Sequence, residues 1–180
     1  METAERQVVI DGLVASEARL LALVEGLTPA QWNFHETPGR WSIAENIEHV
    51  IAVETRISGL IAKALTGPPE PDKKQHAAAK EPRVLAVSDS TNTKLTAPEA
   101  VRPVGKWSDT AELVAELRET RARTTAFAAE IQGDLRNHFF PHMALGDLDC
   151  YQWLVLLGGH GYRHAQQIEG IKADPAYPVS

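Results

Sequence analysis

The chain has 180 residues, and its shares of hydrophobic residues (43%) and charged residues (23%) are those of an ordinary globular domain. Its formal net charge of -6 and its scattered basic residues argue against a nucleic-acid partner, because binding phosphates requires a concentrated basic surface. No apolar run approaches the roughly 20 residues that span a bilayer, so we expect no membrane segment. We expect a single domain over residues 1–180.

The start of the chain and its cysteine content indicate a cellular compartment. Residues 1–6 have neither the basic end nor the apolar stretch of a secretory signal. Cys150 is the only cysteine, which excludes an intrachain disulfide and a cysteine-based zinc cage. We therefore expect a protein of the reducing cytoplasm.

Two amphipathic helices are predicted in the first third of the chain. The first runs from about Thr3 to Gly26, and a short helical turn follows at residues 28–32. The second helix begins at Ser42, which forms a capping-box pattern with Glu45, and it extends to about Leu65.

A long connection and two further helices complete the chain. Residues 67–107 are rich in proline and polar residues, and about 40 such residues are too many for a tight turn, so we expect a crossover. The third helix runs from Ser108 or Asp109 to about Gln132. A loop over residues 139–146 precedes the fourth helix, which begins between Asp147 and Asp149 and ends near Ala173. We see no strand pattern, and four helices with one long crossover predict an all-α four-helix bundle.

The fourth predicted helix carries two histidines, His160 and His164, one helical turn apart on its apolar side. Two imidazoles at this spacing can bind one divalent cation, although the pattern is also common by chance. His49 is the other histidine inside a predicted helix, where it is either a third ligand or a satisfied core histidine. Zinc suits three imidazoles and a water, and nickel or iron could take further ligands.

Two stretches of the sequence resemble the DinB superfamily, which includes the YfiT-like proteins. Residues 41–50 are similar to the second-helix motif of that superfamily. Residues 140–154, followed by the pattern H-x-x-R-H-x-x-Q-I at residues 160–168, are similar to its last-helix signature. In the loop before the last helix, the family often has histidine followed by proline, whereas this chain has Pro141 followed by His142.

The resemblance extends over nearly the whole chain, including the crossover between the second and third helices. It implies a bundle of up-down-down-up topology and a divalent metal bound by His49, His160 and His164. It also implies a homodimer, since members of the family often dimerise.

Other polar residues near these histidines have several possible roles. Glu54 interrupts an apolar row and is a candidate carboxylate ligand, a candidate general base, or a partner for Arg56 or another surface arginine. Arg163 could clamp an anionic substrate or form a structural salt bridge. We favour a capping role for Glu45 over a contact to His49. Cys150 is either a thiol activated by the helix dipole or, as we favour, a buried inert thiol.

Three imidazoles leave an open coordination position, which is typical of a catalytic metal. Such an ion can activate water for hydrolysis or hold a thiol as its thiolate. The resemblance implies thiol transfer for some relatives, which use bacillithiol or mycothiol, and hydrolysis for others. We favour a transferase that moves a low-molecular-weight thiol onto an electrophilic small molecule, because no H-E-x-x-H motif is present. The alternatives are a metal-dependent hydrolase and a stress protein that binds a metal or small molecule without turnover.

Overall fold

Four long helices make up most of the fold in the computed structural model, which describes residues 1–86 and 96–179. In chain order the helices are α1 (Thr3–Val24), α2 (Pro29–Trp32), α3 (Ile43–Ala64), α4 (Lys74–Ala78), α5 (Glu81–Leu85), α6 (Thr110–Glu130) and α7 (Cys150–Lys172). No helix in these ranges is long and apolar enough to cross a membrane. The four long helices confirm the predicted all-α class, and their ends lie within a few residues of the predicted ones.

The starts of α3 and α7 are set by side chains that bind the first free backbone amides. Ser42 accepts a hydrogen bond from the backbone of Glu45, whose carboxylate accepts one from the Ser42 amide at 2.7 Å, so the predicted capping box is confirmed. Asp149 and Gln152 form the same arrangement at the start of α7. These two helices carry all three candidate ligands, so the caps fix the residue at which each ligand-bearing helix begins.

Contacts between the long helices establish the topology of the bundle. Gly12 of α1 packs against Gly158 of α7, and Arg19 of α1 pairs with Glu169 of α7. Because residue numbers increase in the same direction along both helices, α1 and α7 run parallel. Helices α3 and α7 run antiparallel, because Asn46 meets His164 and His49 meets His160.

The remaining helix, α6, runs parallel to α3 and antiparallel to α1. Glu54 meets Arg121 and Leu65 meets Gly133, whereas Arg6 binds carbonyl groups at the far end of α6, including that of Ala129. The predicted up-down-down-up topology is therefore confirmed.

The predicted crossover between α3 and α6 contains short helical pieces. Helices α4 and α5 and 3-10 turns at Pro71–Lys73 and Glu99–Val101 occupy part of residues 67–107, of which 87–95 lie outside the described ranges. The first half is held against α7 and the segment before it. Gln152 donates to the Ala77 carbonyl and Lys80 to the Asp147 carbonyl, each at 2.6 Å.

The loop predicted before the fourth helix is instead a β-hairpin, which corrects our expectation that the chain has no strands. Strands β1 (Phe139–His142) and β2 (Gly146–Asp149) pair in antiparallel register. Phe140 stacks on Trp153 with a centroid distance of 4.5 Å, and this packing holds the hairpin on α7. Four-residue strands are too short to produce a recognisable alternating pattern, which is why the sequence did not reveal them.

Two apolar clusters fill the bundle, with a polar layer between them. One cluster includes Leu13, Ile61 and Leu154, and the other includes Ile47 and Leu117, all fully buried. Two of the candidate ligands and a buried ion pair fall between the residues of these clusters: His160 and His164 on α7, Glu54 on α3 and Arg121 on α6. Burying polar groups at this level is costly unless they are paired or bind an ion.

Candidate metal centre

The side chains of His49, His160 and His164 converge inside the bundle. The Nε2 atom of His160 lies 3.3 Å from that of His49 and 3.1 Å from that of His164. One nitrogen from each ring lies within 4.8 Å of the others, and among the described residues these three are the group of histidine, cysteine and acidic side chains that could hold a metal ion. Helices α3 and α7 thus bring together the residues that the sequence nominated as ligands.

The outer nitrogens of two of these rings have hydrogen-bond partners that fix their protonation. The Nδ1 atom of His49 lies 2.7 Å from the carbonyl oxygen of Val101, which can only accept a hydrogen bond. The Nδ1 atom of His164 lies 2.8 Å from Oδ1 of Asn46, whose amide nitrogen donates to the Ser42 carbonyl. Both histidines therefore donate from Nδ1, and each directs the lone pair of its Nε2 toward the centre.

This arrangement of protons fits a bound cation. Without a cation, an Nε2–H of His160 could donate to Nε2 of His49 or to Nε2 of His164, but not to both. The lone pair of the remaining Nε2 atom would then lack a partner. A cation would be coordinated by all three nitrogens. Zinc–nitrogen bonds of about 2.0 to 2.1 Å in a tetrahedron place the ligand atoms roughly 3.3 Å apart, close to the two distances found here. The residues present therefore fit a divalent metal.

Burial keeps these imidazoles in the neutral form that metal binding needs. It lowers the pKa of His49, although the hydrogen bond to Val101 opposes this shift. Burial also holds the pKa of His160 and of His164 well below the usual value, and nearby positive charges, including that of Arg163, act in the same direction. Neutral rings bind a cation without first losing a proton.

The centre has an aromatic wall, and one of its three histidines remains accessible. The ring of Trp41 lies 4.7 Å from that of His49, and it stacks near-parallel to that of His164 at 6.3 Å between centroids. His49 and His164 are buried, whereas His160 and Trp41 are half-buried. The ring of His160 is therefore the most exposed of the three. Its Nδ1 atom is nevertheless buried and has no hydrogen-bond partner in the ranges that the structure describes.

Glu54 lies outside this group of imidazoles. Its Oε1 accepts a hydrogen bond from Arg121 at 2.5 Å, and both side chains are 1% exposed. The partner is thus a buried arginine rather than Arg56 or another surface arginine, which corrects that part of the expectation. Burial raises the pKa of the Glu54 carboxyl, and the charge of Arg121 opposes this rise. The roles of metal ligand and general base stay predictions for Glu54.

Arg121 joins the polar layer to α1. It donates to the carbonyl oxygen of Leu13 at 2.6 Å and to the hydroxyl oxygen of Ser16 at 2.8 Å. Together with the ion pair to Glu54, these bonds tie α6 to both α1 and α3 at the level of the histidines. This network was not foreseen, because α6 contains three arginines and nothing in the sequence marks Arg121 as the buried one.

The remaining nominated residues have the following places. Arg163 is half-buried on α7 between two of the histidines, and burial lowers its pKa. Its role as an anion clamp stays a prediction. Glu45 binds the Ser42 amide and lies 2.9 Å from His35, consistent with the capping role. Cys150 is fully buried, and burial raises its pKa to about 12, as expected for an inert thiol.

Sequence reasoning missed the two groups that orient the ligands. Asn46 is 1% exposed and lies one turn before His49, and a polar residue on the apolar face of α3 was the available signal. The Val101 carbonyl belongs to the backbone of the crossover, so no residue type could have indicated it.

Comparison with known proteins agrees with these features. The family profile of the DinB superfamily matches residues 13–168. The chain is 25% identical over 161 residues to the uncharacterized protein YuaE of Bacillus subtilis (strain 168), covering 88% of this chain and 95% of YuaE. Its fold is similar to that of YfiT from Bacillus subtilis, with a TM-score of 0.62 and 15% sequence identity, covering 99% of this chain and 91% of YfiT. YfiT is described as "a probable metal-dependent hydrolase with an unusual four-helix bundle topology".

Proposed function

This chain belongs to the DinB superfamily, and we propose that it is a metal-dependent enzyme that transfers a low-molecular-weight thiol onto an electrophilic small molecule. The ligands of its divalent metal are His49, His160 and His164. Zinc or nickel suits this donor set best, and iron is the third candidate.

One observation carries the proposal, namely the convergence of three neutral imidazoles through their Nε2 atoms at 3.1 and 3.3 Å. Because three ligands do not complete the coordination of zinc, nickel or iron, an ion held by these histidines would have at least one position left for a thiol or water. A divalent ion held there would lower the pKa of a thiol or water and favour its deprotonated form.

The residues of the chain would orient and enclose the reactants. Val101 and Asn46 hold the rings of His49 and His164, which would keep the Nε2 atoms of both rings aimed at a bound ion. Trp41 gives one side an aromatic wall that excludes water from part of the centre. Arg163 lies close enough to lower the pKa of two ligands, and we propose that it attracts the anionic part of a thiol cofactor.

Thiol transfer suits this centre because its nucleophile does not depend on a carboxylate base. Within residues 1–86 and 96–179, no carboxylate joins the three imidazoles. Glu54 is paired with Arg121, and Glu45 is engaged in the capping box. In the overall reaction the thiol loses its S–H proton and forms a carbon–sulfur bond. The proton leaves with the displaced halide, or it protonates the opened oxygen when the electrophile is an epoxide.

Metal-dependent hydrolysis is the second candidate, and the description of YfiT favours it. The same open position could serve water in place of a thiol. In this case Glu54 is the nominated base, which would require it to leave its ion pair with Arg121. A protein that binds a metal or small molecule without turnover is the remaining outcome.

The test begins with protein purified without a metal-affinity step and measured for zinc, nickel and iron. We expect about one metal per chain, lost in His160→Ala and kept in His76→Ala, which removes an exposed histidine of α4. A panel of halogenated aromatics and epoxides is then assayed with and without a low-molecular-weight thiol, beside a panel of esters and amides.

Turnover that needs both metal and thiol supports the transferase. Ester or amide cleavage without thiol would replace it with the hydrolase, and metal binding without turnover on either panel would leave a binding protein. Wild-type protein without any metal would overturn the proposal altogether.

Location and assembly belong to the same proposal. The single, buried cysteine is compatible with a reducing cytoplasm. The homodimer is supported by the family resemblance, and light scattering of the purified protein measures it directly.

A further inference from the structure

The last part of the crossover is attached to α3 beside the candidate metal centre. The carboxylate of Glu48 accepts three backbone hydrogen bonds, from Val104 at 2.9 Å, Gly105 at 3.0 Å and Lys106 at 3.3 Å. Glu48 is 7% exposed, so its carboxylate has little access to water and depends on these amides. We call residues 101–106 the strap.

The same strap contacts a candidate metal ligand. Its first residue, Val101, accepts the Nδ1–H of His49 at 2.7 Å, and Val101 is itself 5% exposed. Glu48 and His49 are neighbours on α3. Glu48 therefore accepts hydrogen bonds from the end of the strap, and His49, the next residue, donates one to its start.

We propose that the strap is part of the metal centre and that Glu48 is its positioning residue. By fixing residues 104–106, Glu48 holds the Val101 carbonyl where it orients His49. Metal binding in turn holds His49, and with it the strap. This inference rests on the proposed metal site.

The coupling has a thermodynamic consequence, because linkage between two events is reciprocal. If an anchored strap raises the affinity for the metal by a given factor, then the bound metal favours the anchored strap by the same factor. Partners that orient histidine ligands typically contribute about 10- to 100-fold in metal affinity. The strap would then report on metal occupancy.

The chemistry of the anchor suits a carboxylate in particular. Both of its oxygens accept, so three amides that point to one place can all be satisfied. Gly105 has a φ of 70°, a left-handed conformation that glycine adopts without strain, and this helps to turn successive amides toward Glu48. A glutamine at position 48 could accept through its single side-chain oxygen only. Its NH2 group, a donor, would face a backbone N–H group that is also a donor.

The test measures zinc affinity by competition with a chromophoric chelator in wild type, Glu48→Ala, Glu48→Gln and a control, Lys80→Met. The control removes the hydrogen bond from Lys80 to the Asp147 carbonyl, which anchors the first half of the crossover. This bond does not involve the strap or the histidines. We expect at least a tenfold loss of affinity in Glu48→Ala, a smaller loss in Glu48→Gln and no change in Lys80→Met. If Glu48→Ala does not fold, as judged by circular dichroism, then Glu48→Gln decides.

Amide hydrogen exchange gives an independent readout without any substrate. In wild type, zinc should slow exchange at Val104, Gly105 and Lys106, and in His160→Ala it should not. Unchanged affinity in the Glu48 variants, or unchanged exchange at the strap when wild type binds zinc, would overturn the inference. Absence of zinc, nickel and iron binding by wild type would instead overturn the proposed function, together with the inference that rests on it.

Discussion

The Nδ1–H of His164 donates to the side-chain oxygen of Asn46 across 2.8 Å, from α7 to the antiparallel helix α3. The amide nitrogen of Asn46 donates to the Ser42 carbonyl at 2.8 Å, so this side chain can present only its oxygen to the histidine. The cap of α3 and a candidate metal ligand on α7 are thereby linked through one residue.

We expect Asn46→Ala to weaken metal binding about 10- to 100-fold while all three ligands remain, because His164 loses the partner that orients its ring. Competition with a chromophoric chelator measures the change. Asn33→Ala is the control, since Asn33 is exposed and its side chain donates to the Pro29 carbonyl of its own short helix. Equal affinities for wild type and Asn46→Ala would show that the hydrogen bond does not support the site.

Trp41 should report on metal binding through its fluorescence. Its ring lies 4.7 Å from that of His49, so Cu²⁺ or Ni²⁺ bound by the histidines should quench its emission. We expect saturable quenching in wild type that is strongly reduced in Trp41→Phe and unchanged in Trp107→Phe, whose indole instead faces Lys106 at 4.4 Å. Equal quenching in both variants would place the metal away from Trp41.

Gly158 allows α1 and α7 to approach closely, and its replacement should destabilise the bundle. A Cβ atom at this position would lie 2.9 Å from the backbone carbon of Gly12. We expect Gly158→Ala to lower the free energy of unfolding by roughly 1 to 3 kcal/mol, as overpacking does. Urea denaturation of the metal-free protein measures the effect.

Gly12→Ala is the matched control on the facing helix. Its added Cβ would lie 3.9 Å from Gly158, an ordinary contact, so the better helix propensity of alanine should stabilise the protein by up to about 1 kcal/mol. If both variants changed stability in the same direction, then the close approach of α1 and α7 would not explain the effect of replacing Gly158.

The buried ion pair of Arg121 with Glu54 should contribute far more to stability than the exposed ion pairs of Arg123 on the same helix. Arg121→Ala leaves the Glu54 carboxylate buried without its charged partner, and we expect it to lower the free energy of unfolding by about 3 to 5 kcal/mol. Arg123→Ala, two residues further on α6, removes surface pairs with Glu116 and Glu119 and should change stability little. Thermal and urea unfolding of both variants decide the matter, and comparable losses would contradict the assignment.

Cys150 should not react in the folded protein. Its side chain is fully buried and burial raises the pKa of its thiol to about 12, so at pH 8 the thiolate is scarce and inaccessible. We expect a chromogenic disulfide reagent to modify no thiol in native protein and one thiol per chain after unfolding in guanidinium. Rapid modification of the native protein would reopen a chemical role for this residue.

Local signals account for most of the fold that could be predicted. The Ser42 capping box and the apolar spacing on α3 depend on residues within a few turns of each other, so they can be recognised in a single segment. The same holds for the His160 and His164 pair, because a spacing of four places both rings on one helical face. The β-hairpin escaped prediction, since each strand has only four residues and Phe140 depends on Trp153 of α7 for its packing.

The helices and the long crossover could be predicted from the sequence, as could the identities of three candidate ligands through the family resemblance. The folded bundle brings Nε2 of His49 to within 3.3 Å of Nε2 of His160, across 111 positions of the chain. It also placed Glu54 opposite Arg121 and the Val101 carbonyl opposite His49. Helix periodicity can be recognised in the sequence because it is a property of neighbouring residues. Pairing of buried polar groups instead depends on which helices meet and in which direction they run.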